Sequence, residues 1–185
     1  MNCPLRLLIQ TNLQKFRCTH YEEKRKLQKI MRNRRAPLIY QLLGTLLGIG
    51  YFPLAPATCA SLIVCVILWF LFRAPVIYVI SIVILFALGV WIAFKLERFW
   101  GEDDRRIVID ESIGMIITLF AVPQKILYYA VGFFLFRFFD IVKPFPISDS
   151  QKLKGGWGVV IDDVIAGMYS SIALWIFIYV FHRIA

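Results

Sequence analysis

The chain has 185 residues, of which 59% are hydrophobic and only 18% are charged, and its mean hydropathy is +0.70. These values are typical of membrane proteins and exclude an ordinary soluble domain. The net charge of +9 is unevenly placed, because residues 1–37 hold ten Lys or Arg against two acids. The sequence therefore predicts an all-α fold. We expect residues 38–185 to form an integral membrane helical bundle and residues 1–37 to form a basic N-terminal tail.

The basic tail has two interpretations, which the sequence leaves open. Positive charge beside a membrane segment is typical of the cytoplasmic side and attracts anionic head groups. A solvated tail with no specific ligand is equally compatible with the same composition. Since no base-stacking or groove-reading motif accompanies the charge, a nucleic-acid partner is not expected.

Three apolar segments are candidates for full membrane spans. Residues 76–94 and 164–181 contain no charged side chain, and each approaches the roughly 20 residues that cross a bilayer. Residues 58–72 form a shorter charge-free run and are the weaker third candidate. We therefore expect about three full spans.

Two shorter apolar pieces, residues 111–122 and 126–139, are separated by a turn signal that contains Pro123. As a helix the first piece reaches only about 18 Å, which is too short to cross the hydrocarbon core. We expect the two pieces to form a helical hairpin that dips into the protein and returns. With the basic tail in the cytoplasm, the acidic residues that flank the hairpin and the last span lie at the cytoplasmic membrane boundary.

A near-repeat of acid-headed apolar segments is the main chemical signal. V-I-D-E-S-I-G-M occupies residues 108–115, and V-I-D-D-V-I-A-G-M occupies residues 160–168. Carboxylates beside apolar sequence are costly to desolvate unless a cation or a proton neutralises them. Mg²⁺ prefers such hard oxygen ligands, and the candidates for catalysis and for metal binding are Asp110, Glu111, Asp140, Asp162 and Asp163.

The spacing limits how these acids can act together. Neighbouring side chains on a helix diverge by roughly 100°, so about one acid of each adjacent pair is expected to bind a given ion. N-capping of the last helix is the alternative for Asp162 and Asp163. Gly114 and Gly167 follow the acids by about one turn and predict a close approach of the two helices. The acidic run of residues 102–104 is interpreted as a solvated loop.

Three basic residues are candidates for phosphate binding. Arg137 lies three residues before Asp140 on the same helical face, so it forms either an internal ion pair or a bidentate phosphate contact. Lys143 precedes Pro144, which ends the helix. Lys154 precedes the glycines of residues 155–158, a loop that is interpreted either as a phosphate-binding backbone or as a flexible hinge.

Taken in order, these segments resemble the phosphatidylglycerophosphatase A family, whose members are Mg²⁺-dependent membrane enzymes that dephosphorylate phosphatidylglycerophosphate. The resemblance runs from about residue 48 to residue 167. It implies a bacterial cell-membrane hydrolase of phospholipid biosynthesis, with its active site facing the cytoplasm and with phosphatidylglycerol and phosphate as products. The residues alone support a metal-dependent enzyme or binder at the membrane surface. A small cation-coupled transporter that uses the same acids is the alternative.

The segment of residues 48–61, G-I-G-Y-F-P-L-A-P-A-T-C-A-S, is similar to the family's G-x-G-x-x-P-x-x-P-G-T-x-G-S motif. Ala57 and Ala60 stand where the family has glycine, and alanine disfavours the positive φ of a strained backbone nest. Thr58 and Ser61 keep hydroxyl groups that suit either phosphate binding or capping of the following helix.

Overall fold

The computed structural model describes residues 36–71, 75–101, 104–150 and 155–184. These residues contain helices and no strand, which confirms the all-α prediction. The helices are α1 (Leu38–Gly44), α2 (Pro56–Leu71), α3 (Pro75–Trp100), α4 (Ile109–Thr118), α5 (Ile126–Val142), α6 (Ile147–Ser150) and α7 (Gly156–Ile184), with a 3₁₀ turn at Ile49–Tyr51. The basic tail lies outside the described residues except for its last two positions, and Lys154 also lies outside them.

Two of these helices, α3 and α7, are long and apolar enough to cross a membrane. Only 22% and 28% of their most apolar windows are buried inside the protein, whereas a core helix of a soluble protein would be mostly buried. At 16 residues, α2 reaches about 24 Å, which is short of the roughly 30 Å hydrocarbon core. The predicted third full span is therefore not confirmed.

Helix α4 is the centre of the bundle. All of its residues except Ile117 are buried, and it packs against α2, α3, α5 and α7. A turn over residues 119–125 connects it to α5, as the apolar pieces and Pro123 predict. Because α4 is only ten residues long and is enclosed by other helices, the acids in its first turn lie inside the protein.

The start of α7 differs from the prediction. The helix begins at Gly156, so Asp162 and Asp163 lie nearly two turns inside it and do not cap it. The helix can start here because residue 156 has no side chain. A Cβ at this position would collide with the Val90 carbonyl and the Phe94 amide nitrogen of α3. The glycines at 156 and 158 therefore belong to the packed first turn of α7 instead of to a flexible loop.

The segment of residues 48–61 also differs from the prediction. Ala57 and Ala60 both lie inside α2, and Ala60 is fully buried, so neither position has the positive φ of a backbone nest. Ser61 is likewise internal and donates a hydrogen bond to the Ala57 carbonyl at 2.9 Å, which is a bond within the helix and not a cap. Positive φ occurs instead at Gly48 and Ala55.

Helices α4 and α7 approach closely at Gly114 and Gly167, as the near-repeat predicts. A Cβ on Gly167 would lie 2.6 Å from the Gly114 carbonyl oxygen and 3.0 Å from its Cα. A Cβ on Gly114 would lie 2.8 Å from the Asp163 carbonyl oxygen. Since these atoms belong to rigid backbone, any side chain would push the two helices apart.

We predict that Gly167→Ala destabilises the protein by roughly 1–3 kcal/mol, the usual cost of overpacking. Gly89→Ala is the matched control, because its Cβ would meet only side-chain atoms, the nearest at 3.1 Å. The measurement is thermal unfolding in detergent. Equal stability of the two variants would contradict the close contact.

The segment before α4 is fixed by an ion pair, although the sequence had placed Asp104 in a solvated loop. Arg106 donates to Asp104 through Nε at 2.8 Å and through Nη2 at 2.7 Å, and its guanidinium lies 4.2 Å from the centre of the Trp100 ring. The Asp104 side chain is only 17% exposed. Burial raises the pKa of Asp104, but the bonds from Arg106 outweigh it and hold the pKa below its ordinary value.

This lowered pKa predicts how stability depends on pH. A carboxyl whose pKa is depressed on folding contributes stability above its unfolded value, and that contribution is lost as the pH falls through the folded-state pKa. We expect the free energy of unfolding of the wild-type protein to exceed that of Asp104→Asn by roughly 1 kcal/mol or less near pH 7. The difference should vanish in strong acid, as thermal unfolding of both proteins across pH would reveal. A difference that persists at low pH would contradict the ion pair.

Candidate active site

Three buried carboxylates from two helices form the centre of the site. Asp110 and Glu111 lie in the first turn of α4, and Asp163 reaches them from α7. One oxygen of each lies within 4.8 Å of the others. The side chains converge because the contact between Gly114 and Gly167 holds the two helices together just beyond them.

The negative charge of these three carboxylates (the trio) is only partly neutralised by hydrogen bonds and positive charges of the protein. Burial, followed by the neighbouring carboxylates, raises the pKa of Asp110 well above its ordinary value, and burial also raises the pKa of Glu111. Glu111 Oε2 has no hydrogen-bond partner among the described residues although it is buried. An unpaired buried oxygen and an all-oxygen donor set fit a hard divalent cation.

A second part of the site lies at the end of α5, where Arg137 and Asp140 pair at 3.0 Å with 13% of each side chain exposed. This is the internal ion pair, one of the two alternatives that the sequence left open for Arg137. Asp140 also interacts electrostatically with Glu111 and Asp163, so it borders the trio. Arg137 Nε is buried and unpaired among the described residues, which leaves a donor available to a ligand.

Lys143 connects the end of α5 to α7. It occupies the left-handed region with φ 45°, an unfavourable conformation for a non-glycine residue. Its ammonium donates to Asp162 at 2.6 Å and lies 3.9 Å from Asp140. Burial lowers the pKa of Lys143, but the bond and charge of Asp162 outweigh it and raise the pKa above its ordinary value. The charged form is therefore stabilised.

The two hydroxyl residues of α2 are placed differently. Ser61 is fully buried, and its oxygen lies 3.5 Å from Arg137 Nη1, so it borders the site. Thr58 lies one turn earlier and is half-buried. Its side chain has no hydrogen bond to any residue that the structure describes.

The structure thus brings eight of the predicted residues together and sorts the acids by their partners. Asp110, Glu111 and Asp163 face one another, whereas Asp140 and Asp162 are paired with the two bases. Of the second pair only Asp163 joins the trio, whereas both Asp110 and Glu111 of the first pair belong to it. Which of these acids binds a given ion stays a prediction.

Sequence reasoning missed two features of the structure. The Ser112 hydroxyl is buried and unpaired among the described residues, and only its position after the acid pair could have drawn attention to it. Arg105 and Arg106 line a cavity between the 3₁₀ turn, the start of α2 and the segment before α4. In the sequence, the change from acidic to basic residues directly after residues 102–104 could have drawn attention to these two arginines.

Comparison with known proteins identifies a family that the sequence matches. A profile described as phosphatidylglycerophosphatase A matches residues 42–178. That range includes every acid and base of the site. No solved structure matches the chain.

Three curated bacterial proteins are similar over most of their length. The "Putative phosphatidylinositol-3-phosphatase" of Bacteroides thetaiotaomicron is 43% identical over 76% of this chain and 94% of its own. The phosphatidylglycerophosphatase A proteins of Haemophilus influenzae and Escherichia coli are 40% and 35% identical. They align with 72% and 71% of this chain, and with 85% and 79% of their own. Nothing in these matches supports the transporter alternative. The chain therefore belongs to the phosphatidylglycerophosphatase A family and is a lipid phosphatase, a phosphoric monoester hydrolase.

Proposed function

We propose that the chain is a Mg²⁺-dependent phosphatidylglycerophosphate phosphatase, which hydrolyses the terminal phosphate monoester to give phosphatidylglycerol and inorganic phosphate. The observation that carries the proposal is the buried trio of Asp110, Glu111 and Asp163 beside two bases. The names of two relatives support this substrate. The site faces the cytoplasm of the bacterial cell membrane, as the positive charge of residues 1–37 favours.

The trio supplies the metal site in this proposal. Asp110, Glu111 and Asp163 hold Mg²⁺, and the unpaired Glu111 Oε2 is a ready ligand atom. When bound, the ion neutralises charge on the phosphoryl group and assists its transfer to water. Burial in the bundle excludes bulk water from these oxygens and strengthens their interaction with the cation.

The bases hold the phosphate of the substrate. Arg137 presents its buried Nε and the rest of its planar guanidinium, which suits bidentate contact with phosphate oxygens. Lys143 adds a point charge from the opposite side of Asp140. Ser61 orients Arg137 from α2. Asp162 positions the Lys143 ammonium and is not itself a metal ligand. Thr58, another phosphate-binding candidate, has no hydrogen bond to a described residue, and Lys154 lies outside the described residues.

Phosphatidylinositol 3-phosphate is the second candidate substrate, because the relative with 43% identity carries that activity in its name. Both lipids join a phosphodiester and a phosphate monoester through a polyol. The same metal and bases would act on the monoester of either lipid. The substrates are distinguished only by the shape of the site around the polyol.

We expect the purified protein in detergent micelles to release one phosphate for each phosphatidylglycerol formed. Excess chelator should abolish turnover and added Mg²⁺ should restore it, because buried carboxylates without a cation do not hold the phosphoryl group. Phosphatidylinositol 3-phosphate is assayed in parallel. Full turnover in chelator would contradict the metal requirement, and turnover of only the inositol lipid would replace the substrate.

Variants of single acids separate the two kinds of carboxylate. Asp110→Asn, Glu111→Gln and Asp163→Asn should each lower kcat at least about 100-fold and weaken Mg²⁺ binding, since an amide keeps the shape but loses the charge. Asp162→Asn should also reduce activity, but with Mg²⁺ affinity close to that of the wild type.

The readouts are phosphate release against Mg²⁺ concentration and calorimetric Mg²⁺ binding. Asp104→Asn is the control, because that carboxylate pairs with Arg106 outside the trio and should leave turnover unchanged. Loss of Mg²⁺ affinity in Asp162→Asn as severe as in Asp163→Asn would overturn the division of the acids.

A further inference from the structure

An open groove with a volume of about 360 Å³ lies between α3, α4 and α7 and has no part in the site described above. We call it the apolar groove. None of its lining residues is charged, and Ser171 is the only polar one. Its walls include Val79 and Val83 of α3, Ile117 of α4, and Met168 and Ile172 of α7. The volume lies in the range of about 300–1,000 Å³ that is usual for ligand pockets.

The apolar groove lies on the same two helices as the carboxylate trio. Helices α4 and α7 run in the same direction, because their acids meet near their starts and the glycines at 114 and 167 meet one turn later. Ile117 follows Asp110 by seven residues, which is about 10.5 Å along α4. Ser171 follows Asp163 by eight residues, which is about 12 Å along α7. The groove is therefore displaced from the trio by a similar distance on both helices.

This displacement leads from the trio into the membrane. Ser171 lies close to the midpoint of α7, whereas Asp163 lies near the start of that helix. Met168 and Ile172, on the wall of the groove, are more than half exposed. Because α3 and α7 are the two helices that are long and apolar enough to cross a membrane, these exposed side chains face hydrocarbon. The direction from the trio to the groove is thus the direction from a lipid head group to its acyl chains.

The groove is also where the central helix becomes accessible. Every residue of α4 is buried except Ile117. Seven residues are nearly two full turns, so Ile117 lies on the same face of α4 as Asp110. The helix that carries two of the trio therefore meets the membrane at the apolar groove.

We propose that the apolar groove binds one acyl chain of the lipid substrate while the trio and the two bases hold its phosphate monoester. The inference rests on the proposed function, since the polyol and the diester of phosphatidylglycerophosphate then span the interval between the two. Transfer of a chain from bilayer hydrocarbon to an apolar groove gives little hydrophobic free energy. The chain of the substrate is selected instead because its bound head group raises its effective concentration at the groove.

The test locates the acyl chain without turnover. The probe is a phosphonate analogue of phosphatidylglycerophosphate, whose terminal P–C bond is not hydrolysed, with a photoreactive diazirine in one acyl chain. It is illuminated with the purified protein in lipid nanodiscs that contain Mg²⁺, and the labelled residues are mapped by mass spectrometry. Phosphatidylcholine with the same diazirine reports ordinary lipid contact. The reference positions are Ile176 and Val180, exposed residues of α7 that do not line the groove.

We expect the phosphonate to favour Met168 and Ile172 over the reference positions at least about fivefold more than phosphatidylcholine does. An excess of the deacylated head group, which competes for the trio and the bases, should remove this preference. Equal preferences for the two probes would overturn the inference, because the groove would then contact only bulk lipid. A preference that survives the excess of head group would also overturn it.

Variants of the groove supply the matched comparison. Ser171→Leu fills the groove and should abolish the preferential labelling. Ala173→Leu is the control, because residue 173 is also small and partly exposed on α7 but does not line the groove. Ser171→Ala removes the hydroxyl without adding volume and should label like wild type. Val83→Phe narrows the groove from α3 and should act like Ser171→Leu, which provides a second variant if Ser171→Leu does not fold.

Kinetics separate the groove from the chemistry. In Ser171→Leu, KM for phosphatidylglycerophosphate should rise while kcat stays within about twofold, since the groove binds a part of the substrate that does not react. KM for the deacylated head group should not change. An equal rise in KM for both substrates would contradict the inference. Preferential labelling by the phosphonate in a wild-type protein that does not hydrolyse phosphatidylglycerophosphate would contradict the proposed function and support the groove.

Discussion

An excess of buried negative charge is the constraint on which the rest of the structure depends. Five carboxylates and two bases meet where α4, α5 and α7 come together, which leaves three formal negative charges when all are ionised. Charges in a low-dielectric interior are tolerated only when they are paired, protonated or bound to metal. The two bases account for Asp140 and Asp162. The remaining trio must be protonated or bind a cation, and its three carboxylates are close enough together to hold a metal ion.

The backbone is shaped to bring this charge together. Helices α4 and α7 touch at two glycines, and only that contact allows Asp163 to reach the acids of α4. The left-handed conformation of Lys143 ends α5 and directs its ammonium to Asp162. Each device has a conformational cost. Such costs are concentrated at sites where function and not packing decides the geometry.

Much of this arrangement could be predicted from the sequence, because acids and bases in a strongly apolar chain have few interpretations. The helical class, the hairpin of α4 and α5, and the glycine contact follow from hydropathy, from the Pro123 turn and from the near-repeat. The third full span is not confirmed, because a charge-free run of 15 residues does not determine how long the helix is. The start of α7 was missed because three glycines within four residues normally indicate a loop. Here, tight packing of Gly156 against α3 overrides that local preference.

The division of the acids could not be predicted either. Adjacent aspartates at 162 and 163 are chemically identical, and only the position of Lys143 assigns one to a base and the other to the trio. That position depends on where α5 ends and how the chain turns at Pro144, which is tertiary information. The three comparisons with bacterial relatives add the family but no geometry, so the partners of each acid come from the structure alone.

Pairing of the bases with acids also bears on turnover under the proposed function. An unpaired arginine and lysine beside a divalent cation would bind inorganic phosphate tightly and retain the product. In this site the guanidinium and the ammonium already have carboxylate partners at 3.0 and 2.6 Å. Phosphate must therefore compete with Asp140 and Asp162 for them, which lowers the affinity for substrate and product alike. Binding that is uniform in this way does not raise kcat, so weakening it costs little catalysis and favours product release.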